Sequence, residues 1–138
     1  MSLKWKPPKL PANKTAQYAN TADHALIVHN GAVLRGGTRI PGRKFMLNAI
    51  AGNFGFDDDF RAVEVFADAY QETGSFARAF RATAQQGQKE IKAAFGYKWA
   101  WPSGRATKRR NGEVVTSPRN IIDTGELKRS QQPVRFLP

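Results

Sequence analysis

The chain contains no cysteine, only two histidines, and half as many acidic as basic side chains. Without cysteine there can be no disulfide, thiolate metal centre or cysteine nucleophile. His24 and His29 lack the i, i+4 spacing of a helical zinc pair, and no H-E-x-x-H stretch occurs. A structural role at the end of a strand is therefore expected of His29. No stretch approaches the roughly 20 apolar residues of a membrane span. The opening Met1-Ser2-Leu3-Lys4-Trp5-Lys6-Pro7-Pro8 lacks the apolar run of a secretory leader. The expectation is a soluble, cytoplasmically made protein with no membrane partner. A phosphate loop of the form G-x-x-x-x-G-K-[ST] is missing too, so Gly36-Gly37 is read as a turn.

Two acidic groupings invite a catalytic reading and fail it. Asp57-Asp58-Asp59 cannot converge on one ion, being consecutive, and instead suits the start of a helix, where the dipole favours acids. Asp123-Thr124-Gly125 has the form of the aspartic-protease signature. That chemistry needs two carboxylates sharing a proton, and a catalytic strand would be buried, whereas the flanking Glu126-Leu127-Lys128-Arg129 is charged. A tight corner is expected there, with Gly125 at positive φ, Leu127 pointing inward and Lys128 and Arg129 outward. No catalytic residue, metal ligand or cofactor site is assigned, and the chain is read as non-enzymatic.

What the chain does have is positive charge. Lys and Arg number 22 against 11 Asp and Glu, a formal net charge of +11 in 138 residues. Such a field attracts polyanions, whether nucleic acid or an acidic protein surface. Lys4, Trp5, Lys6 and Lys9 in the N-terminal arm, with Arg105, Lys108, Arg109 and Arg110 further on, are the candidate contact residues. Tyr97, Trp99 and Trp101 interleave with this second group and resemble a stacking platform beside an electrostatic groove. The acids gather at Asp57, Asp58, Asp59, Glu64, Asp68 and Glu72, and this separation of sign suits head-to-tail packing of identical subunits.

The length suits one domain. Residues 1–14, with three prolines among lysines, read as an extended basic arm, and 15–138 as a single α+β domain with an exposed basic loop at 103–112. Ala25 to His29 is an apolar run ended by Asn30-Gly31, read as strand and turn, with Ala32 to Leu34 a second short strand. Lys44 to Ile50 reads as a short helix closed by Gly52. A helix is expected from Asp57 to Gly74. A better-patterned one follows, capped by Ser75, with Phe76, Phe80, Thr83, Gly87, Ile91 and Ala94 or Phe95 on one face and Gly96 at its end. Tyr97 to Pro102, Glu113 to Thr116 and Gln131 to Phe136 read as strands. The architecture expected is a small, mainly antiparallel sheet packed on a long amphipathic helix.

Two segments together carry a resemblance. Pro118 to Ser130, running Pro-Arg-Asn-Ile-Ile-Asp-Thr-Gly-Glu-Leu-Lys-Arg-Ser, resembles the P-x-D-T-G-x-L-x-x-S segment of tailed-bacteriophage head–tail connector, neck and tail-completion proteins. Ala25 to Gly31, followed by Ile40 to Phe45, resembles that family's Y-A-x-x-V-H-x-G strand leading to P-A-R-P-F and a helix. The family's pattern maps onto His29, Asn30, Gly31, Asp123, Thr124, Gly125, Leu127 and Ser130. In that family the Asp-Thr-Gly segment comes first. Here the order is reversed, as circular permutation would produce, and Gly42 and Lys44 stand in place of a small residue and a proline. The resemblance implies a virion structural protein, a ring-forming neck, tail-completion or tail-terminator adaptor around the DNA channel. Its implied partners are copies of itself, portal, adaptor or tail-tube proteins, and packaged DNA through non-specific contact. A capsid decoration protein and a sequence-independent nucleic-acid-binding protein are the alternative readings.

Overall fold

The computed structural model describes residues 2–4, 10–37, 39–99, 106–122 and 125–138. Of the residues singled out above, Trp5, Lys6, Lys9, Trp101, Arg105, Asp123 and Thr124 lie outside them. The elements run β1 (Thr15–Gln17), α1 (Ala25–Asn30), β2 (Ala32–Val33), β3 (Arg39–Ile40), α2 (Phe45–Ala51), α3 (Ala62–Thr73), α4 (Phe76–Ala94), β4 (Thr107–Lys108), β5 (Val114–Val115), α5 (Glu126–Arg129) and β6 (Arg135–Leu137). The class is α+β, with helices and small antiparallel sheets. Its described strands form three separate two-stranded ribbons, β1–β6, β2–β3 and β4–β5, all antiparallel.

The nineteen residues of α4 organise the interior. Ser75 caps it by accepting the Arg78 amide at 3.3 Å, satisfying one of the amides that a helix start leaves without a partner. Ala79, Ala84, Gly87, Gln88, Ile91 and Ala94 are buried along it, and Phe95 directly follows. Phe76 and Phe80 are only half-buried, because Phe76 turns towards α3 and packs on Phe66 and Tyr70 with ring centroids 5.4 and 4.9 Å away. The core proper joins Ile91, Ala94 and Phe95 of this region to Ala22, Ala25, Phe45, Ala49, Ile121 and Leu127. Phe45, Phe95 and Ile91 are its largest fully buried side chains, each worth about 2 kcal/mol of transfer free energy.

Three local expectations are corrected. Ala25 to His29 is not a strand but most of the helix α1. Ile27 and Val28 favour strand intrinsically, yet the Asn20 carboxamide oxygen accepts the Ala22 amide at 3.0 Å and sets a turn that leads into helical bonding. From there Ala25 donates to the Ala22 carbonyl and Val28 to that of His24, and Ala25 is buried. The helix expected from Asp57 begins only at Ala62. Asp59 instead accepts the Gly55 and Phe56 amides at 2.7 and 3.1 Å, a side-chain-to-backbone turn that competes with helix. In the segment 103–112, read as an exposed loop, Thr107 and Lys108 form β4 against Val115 and Val114.

The two ends of the described chain are stitched together. Thr15, Ala16 and Gln17 pair with Leu137, Phe136 and Arg135, and Lys14 donates to the Leu137 carbonyl at 2.9 Å. One turn further in, the Asn20 amide donates to the Leu127 carbonyl and to Gln131 at 2.8 and 3.0 Å. Thr21 donates its backbone amide to Ser130. This tie holds α5 against α1, so that the segment ending in Ser130 lies beside the segment that contains His29.

Candidate functional site

His29, Asn30 and Gly31 form a clasp between the end of α1 and the start of α2. The His29 imidazole Nε2 accepts the Leu47 amide at 3.2 Å, while its Nδ1 lies 2.7 Å from the Asn30 side-chain oxygen. Its ring meets Phe45 edge-on at 5.3 Å. Gly31 stands at φ 77°, and a Cβ there would come 2.6 Å from the Ile40 carbonyl oxygen and 2.7 Å from the Gly42 nitrogen. No other residue fits both the backbone conformation and the space. The Arg43 amide closes the clasp by donating to the Val28 carbonyl at 2.9 Å. His29 thus lies in α1 rather than at a strand end, and its ring accepts an amide of the first turn of α2.

The Asp-Thr-Gly corner is described from Gly125 onward. Gly125 has φ 84° and precedes α5, the Arg129 amide donates to its carbonyl, and the Ser130 amide donates to that of Glu126. Leu127 is buried and Lys128 and Arg129 are exposed, as the sequence implies. The corner opens a one-turn helix.

Beside these two segments lies the basic region. Lys108 and Arg110, exposed, line a cavity of about 300 Å³ with Arg109. The same cavity takes Arg43 from the α2 approach and Arg119 from beyond β5, and His24, Val28, Asn120 and Ile121 complete it. Arg109 is locked by donation to the Asn120 and Ile122 carbonyls and pairs with Glu113 at 3.3 Å. Arg119 is 7 % exposed, donates to the Thr107 hydroxyl, and exchanges backbone hydrogen bonds with Trp99. Burial pushes the Arg43 guanidinium below its ordinary pKa, and the charges of Arg119 and Arg109 push it further. Arg119 is lowered in the same way, by burial first and then by Arg109.

Of the eight candidate contact residues, the structure therefore brings Lys108, Arg109 and Arg110 together. Lys4 is exposed in the arm and takes no part. Arg43 and Arg119 were not legible as site residues. Arg119 has no basic neighbour in sequence and Arg43 only Lys44, and only the fold places them beside the Lys108–Arg110 cluster. The stacking platform is also corrected in part. Tyr97 and Trp99 meet Phe54 edge-on at 4.9 and 5.4 Å, and Phe56 meets Tyr97 at 5.2 Å, so these rings are engaged within the domain.

A second charged surface belongs to α3. Glu64, Asp68 and Glu72 are spaced by one helical turn and all exposed, which draws an acidic stripe along it. Among the described residues no three His, Asp or Glu side chains are gathered as a metal site requires, and no helix is long and apolar enough to cross a membrane. No family model matches the chain, and neither curated proteins nor solved structures give a significant match.

Proposed function

We propose that the chain is a ring-forming structural subunit of a tailed-phage head–tail junction, of the neck or tail-completion kind. The observation that carries this reading is the meeting of the two family-like segments. Ala25 and Phe45 from the first share one core with Ile121 and Leu127 from the second, across most of the sequence. A reversed order of motifs is compatible with a common domain when the chain ends are neighbours, and the β1–β6 ribbon makes them so. The acidic stripe Glu64–Asp68–Glu72 and the Lys108–Arg110 cluster supply opposite charges on one subunit. Opposite charges suit a heterologous contact between copies, which makes a ring when its rotation closes.

In this reading the arm before Thr15 and the basic cluster reach neighbouring subunits or connector proteins, and the subunit performs no chemistry. The deciding experiment is a virion map at a resolution that places the chain. A single ring of copies at one vertex supports the proposal, and copies spread over the capsid shell overturn it in favour of decoration. On the purified chain, electron microscopy should find closed rings. Reversing charge with E64K/D68K should leave the fold intact and abolish them.

A further inference from the structure

Arg43, Arg109 and Arg119 arrive from three separate stretches of chain and line one cavity with Lys108 and Arg110. Among the described lining residues there is no carboxylate. Glu113 stands at the margin on Arg109, and Glu126 lines an adjoining cavity of about 160 Å³ with Arg110. Five cationic side chains on the wall of one cavity make it a local focus of positive potential, which draws an anion. Burial is the first cause of the lowered Arg43 and Arg119 pKa values, and the neighbouring charges add to it, Arg119 and Arg109 at Arg43 and Arg109 at Arg119.

The hydrogen bonds from Arg109 to the Asn120 and Ile122 carbonyls, and from Arg119 to Thr107, fix two guanidinium groups before any ligand arrives. Guanidinium groups suit the oxygens of a phosphate, and a cavity wall already held in place loses little entropy on binding, although both terminal nitrogens of Arg109 are engaged with the protein. Exposed Lys108 and Arg110 continue the positive surface outward, which suits a ligand carrying a charge on every unit. Duplex DNA, with one charge for about every 1.7 Å of axis, has that density.

We infer that this cavity is a phosphate-recognition site that seats one backbone phosphate of a nucleic-acid strand, with Lys108 and Arg110 on the flanking phosphates. Recognition is of the backbone and independent of base sequence. The inference does not rest on the neck assignment, but both draw on Lys108 and Arg110, so a strand seated here competes with the subunit contact.

The test measures binding of the full chain to a labelled duplex oligonucleotide by fluorescence anisotropy over a range of salt. R43Q is compared with K89Q, and K108Q/R110Q with K89Q/K92Q, the controls removing equal charge from exposed positions on α4. The cavity variants are expected to weaken binding by about tenfold and to flatten the salt dependence by about one unit of slope per lost contact. The controls should change affinity by no more than about twofold. Equal losses in cavity and control variants overturn the site in favour of diffuse attraction. Two competitors at matched ionic strength identify the source of the anion. Displacement of the duplex by millimolar inorganic phosphate overturns a strand in favour of the free ion. Displacement by polyglutamate as effective as unlabelled duplex overturns it in favour of an acidic protein. Thermal melting of R43Q at the wild-type midpoint shows that its loss of binding is not loss of fold.

Discussion

Gly87 sits in the interior of α4, where alanine would ordinarily add about 1 kcal/mol of stability through helix propensity. The packing around it reverses the sign. A Cβ at position 87 would come 2.6 Å from the Tyr18 hydroxyl and 2.8 Å from the Ile50 Cδ1. Ile50 can rotate its terminal methyl away. Tyr18 cannot easily yield, because its hydroxyl donates to the Ala84 carbonyl at 2.8 Å and the ring is stiff. Overpacking of this kind costs about 1–3 kcal/mol, and displacing the hydroxyl forfeits a further hydrogen bond of about 1 kcal/mol. Set against the propensity gain, Gly87→Ala should destabilise the domain by about 1–3 kcal/mol. Tyr18→Phe alone should cost about 1 kcal/mol, the worth of the lost bond. In the Tyr18→Phe background the hydroxyl is gone and the nearest ring atom, at 3.3 Å, requires only a small adjustment. There Gly87→Ala should be nearly neutral or mildly stabilising, which gives a coupling of about 1–3 kcal/mol between the two positions. Urea unfolding of the four proteins, followed by circular dichroism, measures it directly. A single Gly87→Ala variant more stable than its parent, or one whose cost is the same in both backgrounds, would refute the reasoning.

Two further outcomes are expected. Ser75→Ala removes the side-chain cap of α4 and should lower stability by about 1 kcal/mol, read as a fall of a few degrees in melting midpoint, while Ser75→Asp should retain most of it. Tyr18 is raised above its ordinary pKa by burial. Tyr97 is raised by burial first and then by Glu90, Asp58 and Asp59. The folded state therefore holds these phenolic protons longer than the unfolded chain. Their contribution to stability is complete below about pH 10 and is lost as pH climbs through the higher folded values. Alkaline unfolding curves of the Tyr18→Phe and Tyr97→Phe variants should be flatter than wild type in that range, and an unchanged slope would contradict both assignments.

The elements legible in the sequence are those whose own residues decide them. Ser75 followed by a helical repeat of small and apolar residues specifies α4 and its cap. Gly52 and Gly74 close α2 and α3 in the left-handed conformation. Ala25 to His29 misled because a five-residue apolar run holding Ile27 and Val28 carries no period, and the deciding influence, the Asn20 turn, lies outside it. Asp57 to Asp59 misled because the same carboxylate that favours a helix start can instead bond backward, as Asp59 does to Gly55 and Phe56. In the candidate site, the Lys108–Arg110 cluster was visible as a run. Arg119, and Arg43 with only Lys44 beside it, were not, since one or two basic residues have no local signature and acquire one only through long-range packing.

The ribbon between β1 and β6 has a consequence in time. Asn20 and its acceptor Leu127 are 107 residues apart, and the strand pairs beside them are farther still. During synthesis β1 has no partner until almost everything else has been made, and Tyr18 can reach Ala84 only once α4 exists. Contacts of such long separation form late because the closure entropy must be met first. The helical hairpin of α3 and α4, built from neighbours in sequence, can assemble long before. Pairing of β6 with β1, and the tie of α5 to the Asn20 turn, are then late events. A subunit still in production would therefore carry a formed α3–α4 hairpin and an unpaired β1 edge until residues 135–137 emerge.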